Sequence, residues 1–150
     1  MQPDFLIKLV ILLPLVGAAF NGLLGLFAPS HRKNEGLIGI VATTMVAIPF
    51  FIAVYLFTGF HGDPIIVNAF TWMQAGDLTV NFAYRIDQLS LLMTLIITGV
   101  GGLIHLYATG YMHGDDGFWR FFAYLNLFIF MMLNLVLGNN LVVLFLGWEG

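Results

Sequence analysis

Glu149 closes the apolar run 141–148, and His105 lies deep inside an earlier one. They are the ionisable side chains set well within the long hydrophobic segments of this chain. A charge at bilayer depth costs roughly 2.5–3.5 kcal/mol on insertion scales, so such residues usually serve a purpose. For a carboxyl there, three purposes are open: a proton-binding site, a ligand for an ion, or a structural group hydrogen-bonded to a neighbouring helix. Gly147 and Gly150 flank Glu149 and leave room for water or for a closely packed helix. Imidazole titrates near neutrality, which suits His105 to a proton relay, and a hydrogen bond to an adjacent helix would satisfy it equally well.

Other polar residues offer less. His113, Asp115 and Asp116 sit in a glycine-containing loop whose spacing suits a solvated turn better than a metal site. Asn126 and Asn134 are placed to make interhelical hydrogen bonds, while Asn139 and Asn140 suit a turn and a helix start. Tyr107 and Tyr111 read as interfacial anchors. No nucleotide loop, zinc motif or nucleophile constellation is present, and without cysteine there is no thiol or iron–sulfur ligation in this stretch. The net charge of −3 gives no basic face for nucleic acid, and no run of Lys and Arg marks a lipid-headgroup site.

The elements that carry these residues follow from composition. Sixty per cent of the residues are hydrophobic and 9% are charged, against about 25% charged in an ordinary soluble domain. The class is an all-α polytopic membrane protein. Segments at 5–27, 36–58, 88–112 and 118–137 are each long enough to cross a hydrocarbon core about 30 Å thick, and a fifth begins at Leu141. Pro14 and Pro49 lie inside the first two, where membrane helices tolerate them. Asp87 or Ser90 can cap the third, and its Gly99, Gly101 and Gly102 invite close helix contact. Between the second and third segments, Ile66, Phe70 and Trp72 share one parity, as do Leu78, Val80, Phe82 and Tyr84. Alternation on both sides of Gln74-Ala-Gly-Asp77 predicts an extracytoplasmic β-hairpin, which must rest on another surface to be stable. The whole of 1–150 reads as the N-terminal transmembrane region of a longer protein, with no separate soluble domain.

Arg32, Lys33 and Arg120 fall at the two short loops, so these loops are expected in the cytoplasm and the hairpin outside. Glu149 then lies about ten residues from the outer end of its helix, roughly 15 Å deep and close to the midplane.

Four strings occur in order: Arg85-Ile-Asp-Gln-Leu-Ser-Leu-Leu92, Gly102-Leu-Ile-His-Leu-Tyr-Ala-Thr-Gly-Tyr-Met112, Arg120-Phe-Phe-Ala-Tyr-Leu-Asn-Leu-Phe128 and Leu144-Phe-Leu-Gly-Trp-Glu-Gly150. Together they resemble the antiporter-like subunits of respiratory complex I, the L subunit of bacterial NADH–quinone oxidoreductase (chain 5 in mitochondria). The resemblance covers the whole chain and is most specific from Arg85 onward. It implies a proton-translocating subunit of the membrane arm, in which the glutamate matched by Glu149 pairs with a lysine on a later helix. It also implies that His105 matches a histidine often found in such subunits. Partners would be other membrane-arm subunits, including a neighbouring antiporter-like one, and the lipid bilayer, with no nucleic acid. NADH, FMN, iron–sulfur clusters and quinone would belong to other subunits, leaving this chain without a cofactor or redox centre. The bacterial inner membrane is expected ahead of the mitochondrial one. The alternatives are a subunit of a multi-subunit Na⁺/H⁺ antiporter or a membrane-bound hydrogenase, or a purely structural membrane subunit. The antiporters tend to follow Phe-Trp-Glu with Leu-Thr-Ser, and Gly-Trp-Glu-Gly here favours the complex I branch.

Overall fold

The computed structural model describes residues 3–60 and 62–150; the side chains of Pro3 and of Leu78, a member of the strand pattern above, lie outside the described residues. In chain order the elements are α1 (Pro3–Phe27), α2 (Glu35–Gly59), β1 (Ile65–Ala75), β2 (Leu78–Ile86), α3 (Gln88–Tyr111), α4 (Phe118–Leu137) and α5 (Leu141–Glu149). Of these, α1 to α4 are long and apolar enough to cross a membrane, the shortest at 20 residues, or about 30 Å at 1.5 Å per residue. The chain is a multi-pass membrane protein with the expected hairpin between α2 and α3.

Local chemistry sets the helix starts. Asn34 accepts a hydrogen bond from Leu37 N at the head of α2. Asp87 and Ser90 form a reciprocal capping box at α3, each side chain bonding the other's backbone N–H at 2.8 Å. The first contribution holding the Asp87 carboxyl below its ordinary range is the Ser90 backbone N–H, helped by the Ser90 hydroxyl and by Arg85. Asn140 caps α5 through Val142 N and Val143 N. No side chain caps α4.

The four long helices pack as a ring, α1 against α2 and α4, and α3 against α2 and α4. Small residues set the spacing. A Cβ on Gly101 would lie 2.6 Å from Ile129 of α4, and one on Gly99 would lie 2.9 Å from Phe50 of α2. Gly102, by contrast, faces open space, so it does not share in that close packing. One core cluster, including Ile11, Val46, Tyr84, Leu91, Leu133 and Val143, ties the hairpin to the helices. A second, around Ile38, Ala42, Phe118 and Phe122, fills the other end of the bundle.

The hairpin turns at Gly76, whose φ of +58° favours glycine, but its faces do not follow simple alternation. Register shifts between Asn68 and Phe70 and between Thr71 and Met73 break the parity of β1. Val67 is the buried residue of β1, whereas Ile66 (55%), Phe70 (57%) and Trp72 (39%) stay exposed. Phe70 and Trp72 instead pack on Phe82, with ring centroids 5.1 and 5.5 Å away. At its inner end the hairpin rests on the turn between α4 and α5: Asn139 N donates to Ala83 O at 2.9 Å, and Asn140 Nδ2 to Asn81 O at 2.7 Å.

Candidate functional site

His105 is wholly buried on α3, facing α2 and α4. Its Nδ1 donates to Gly101 O at 2.7 Å, a bond within its own helix. Its Nε2 therefore accepts, from Asn126 Nδ2 of α4 at 3.3 Å. This pairing assigns a neutral imidazole with the proton on Nδ1. The same Asn126 nitrogen donates to Ala42 O of α2 at 3.1 Å, so one amide joins three helices. Asn21 of α1 makes a related contact one turn along α2, donating to Ile38 O at 3.5 Å. The amide oxygens of Asn126 and Asn21 are buried and have no hydrogen-bond partner among the described residues. Asn126 Oδ1 lies against Gly17 of α1, where a Cβ would approach it to 3.0 Å. The node is thus a histidine and a two-faced amide, with an acceptor left over on the side away from the imidazole.

Asn134 departs from the expected pattern. Its Oδ1 accepts from Tyr84 OH at 2.9 Å, so its partner is the hairpin and not another helix. Burial pushes the Tyr84 phenol up to about 12. Neither of two amides spaced along one helix face reveals by sequence which element will cross above it.

Glu149 stands apart from this node. It is the last residue of α5, exposed, and has no ion pair or side-chain hydrogen bond among the described residues. What fixes α5 is Gly147: a Cβ there would lie 2.5 Å from Leu135 N and 2.8 Å from Met131 O, both backbone atoms of α4. The glycine expected to admit a close helix therefore admits α4. The carboxylate is carried along the face of α5 that α4 does not cover. Sequence-predicted His105 and Asn126 meet; Glu149 joins neither.

His113 lies in the loop between α3 and α4 as expected, but it is not merely solvated. Its Nδ1 bonds Glu35 Oε2 at 2.6 Å, and Gly114 N donates to Glu35 Oε1 at 2.9 Å. Glu35 thus clasps the two short loops together across 78 residues of sequence. Sequence reading missed this clasp, because a Glu at a helix start already has a local use near the positive end of the helix dipole.

Residues 72–122 match the family described as NADH-Ubiquinone oxidoreductase (complex I), chain 5 N-terminus. The chain is 43% identical over 150 residues to NADH-quinone oxidoreductase subunit L of Pseudomonas aeruginosa, covering 97% of this chain and 24% of that protein. It is 38% identical over 152 residues to subunit L of Escherichia coli (97% and 23%). To NADH-ubiquinone oxidoreductase chain 5 of Hypocrea jecorina it is 37% identical over 142 residues (94% and 20%). The chain therefore spans about a quarter of the length of the relatives it matches.

Proposed function

The chain belongs to the N-terminal region of the antiporter-like subunit L and chain 5 family of complex I, and from that premise we propose that it works in redox-coupled proton translocation through Glu149. The full-length protein would be a membrane-arm subunit of NADH–quinone oxidoreductase, contacting other membrane-arm subunits and sited in a bacterial inner membrane. NADH, FMN, iron–sulfur clusters and quinone would be held by other subunits.

The observation that carries this reading is the seat of Glu149. Gly147 brings the α5 backbone against α4, while the carboxylate faces away from α4 and is free to meet a cation. A lysine supplied by the rest of the full-length subunit is the partner proposed. A carboxyl in a low-dielectric setting holds its proton, and an approaching cation favours release. Moving that cation away favours uptake again, so a charge displacement becomes a proton displacement. Redox chemistry elsewhere need only move the cation.

His105 has a separate part in the proposal, as a relay. In its neutral form Nε2 accepts from Asn126 Nδ2. Once Nε2 is protonated it becomes a donor, and the amide must turn to present Oδ1, the oxygen that now lacks a partner. That turn would give up the bond to Ala42 O. The amide can therefore serve both charge states of the ring, at the loss of one bond to α2.

Glu149→Gln in the full-length protein within its assembled complex tests the central claim. The variant keeps the shape of the side chain but cannot carry charge or bind and release a proton, so proton pumping is expected to fall at least tenfold, in step with quinone-reductase rate. Wild-type pumping and reductase rates in that variant would leave Glu149 a structural carboxyl and sink the proposal.

A further inference from the structure

Sequence shows no cluster of basic residues, but folding makes one. The loop after α1 carries Arg32 and Lys33, and Arg120 lies in the first turn of α4. All three line the same cavity, of about 920 Å³, at the end of the bundle where Glu35 clasps the two short loops. Trp119 forms one side, with the Arg32 guanidinium 5.7 Å and the Arg120 guanidinium 5.9 Å from its ring centroid. The ring is pressed against α1, since a Cβ on Gly25 would lie 2.0 Å from it. Arg32 is held in turn by its Nε donating to Gly25 O.

Three cations and three carboxylates line this cup, and it is the cations that are left without partners. Among the described residues, Arg32, Lys33 and Arg120 have no carboxylate within ion-pair distance. Of the three carboxylates lining the cavity, Glu35 is taken by His113 and Gly114, and Asp115 accepts from Gly117 N at 2.6 Å. Asp116 is the acid left uncommitted. The N-terminus of the 20-residue α4 opens beside the cup and has no side-chain cap, so its backbone N–H groups and the helix dipole add positive potential.

We infer that this cup binds the phosphate of an anionic phospholipid headgroup. The shared chemistry is a phosphate-bearing anion, and the surroundings select the lipid as its source. The cup sits at the ends of four membrane-spanning helices, with Trp119 at the level where indole rings favour the interface. Directly beneath Arg32, the last turns of α1 expose Leu23 (54%), Leu26 (59%) and Phe27 (80%), an apolar flank along which acyl chains can lie. A headgroup there would pin both short loops to one leaflet, and by the positive-inside rule that leaflet is the cytoplasmic one.

The test uses full-length protein reconstituted in nanodiscs of phosphatidylcholine with graded phosphatidylglycerol, with retained lipid counted by native mass spectrometry. The triple variant Arg32→Gln, Lys33→Gln and Arg120→Gln should lose one tightly held phosphatidylglycerol, each lost cation weakening retention roughly fivefold. Asp116→Asn should strengthen retention about twofold to fivefold, a gain that misfolding does not produce. Unchanged retention in the triple variant, or no gain from Asp116→Asn, overturns the site. Inorganic phosphate that displaces phosphatidylglycerol at equal concentration overturns the lipid assignment, because a free anion would then suffice.

Discussion

His105 is enclosed by the helix bundle, whereas Glu149 rides on the outside of one helix. Both are ionisable groups in apolar segments, yet the molecule treats them in opposite ways. Both ring nitrogens of the histidine are used, by Gly101 and Asn126, and its ring is wholly buried. Among the described residues the carboxylate has none of this; its helix is set by the seat at Gly147 and by the cap at Asn140. A group whose bonds are all made within the bundle can change state only by rearranging its neighbours. A group left on an open face can change state by changing partners. On the proposed reading Glu149 would switch by changing partners and His105 by rearranging its neighbours, which gives each a distinct way to fail.

The sharpest way to break the contrast is at the seat of α5. Gly147→Val would drive a branched side chain into the backbone of α4 at Leu135 and Met131, where neither partner is a flexible side chain that can yield. Overpacking of this kind costs about 1–3 kcal/mol or more, and the relief available is to swing α5 outward. Proton pumping by the full-length protein is expected to drop at least tenfold, as in Glu149→Gln, although the carboxylate is intact. Thermal unfolding of the four-helix bundle should shift far less, since among the described residues α5 packs chiefly on α4 and β2. Full pumping in Gly147→Val would mean that Glu149 does not depend on its seat.

Asn126 tests the enclosed side of the contrast with a smaller effect. Asn126→Leu removes the donors to Ala42 O and His105 Nε2 together. Hydrogen bonds between membrane helices average about 0.6 kcal/mol and reach about 1.7, so a loss of about 1–2 kcal/mol is expected for the pair. Unfolding in detergent by a graded denaturant measures it. If His105 relays protons through the turning amide, pumping should fall several-fold beyond what the stability loss explains. Restoring a carboxamide with Asn126→Gln should recover part of that deficit. Equal pumping in Asn126→Leu and wild type would leave the node a purely structural contact.

What could be read from the sequence divides along the same line. The four spans were legible because about twenty apolar residues in a row have one stable fate in a bilayer. The capping box at Asp87 and Ser90 was legible because its partners are three residues apart. Even the need for a surface beneath the hairpin follows from two strands being marginal alone. The facing of the hairpin was not legible: Val67 is buried while Ile66, Phe70 and Trp72 of the other parity stay exposed, and the register shifts after Asn68 and Thr71 depart from simple pairing. Nor were the meeting of His105 with Asn126, the bond from Tyr84 to Asn134, or the gathering of Arg32, Lys33 and Arg120. Each depends on how helices rotate and cross, which side-chain spacing along one helix does not specify.

Tyr84 offers the smallest and cleanest probe, because the hairpin is what braces the turn leading into α5. Its hydroxyl donates to Asn134 Oδ1 at 2.9 Å, and burial pushes its phenol up to about 12. A phenol that ionises later in the folded protein than in the unfolded chain, where the value is about 10, stabilises fully below that value. The contribution fades as pH rises through the window from about 10 to about 12. Alkaline absorbance near the phenolate band should therefore leave one tyrosine silent until the hairpin opens. Tyr84→Phe should cost about 1 kcal/mol at neutral pH, from the Asn134 acceptor left unmet, and should flatten the alkaline loss of stability. Because the contact braces α5 without touching Glu149, pumping in Tyr84→Phe should stay within about twofold of wild type. A pumping loss as deep as that of Gly147→Val would instead make the hairpin, and not the glycine seat, the principal support of the carboxylate.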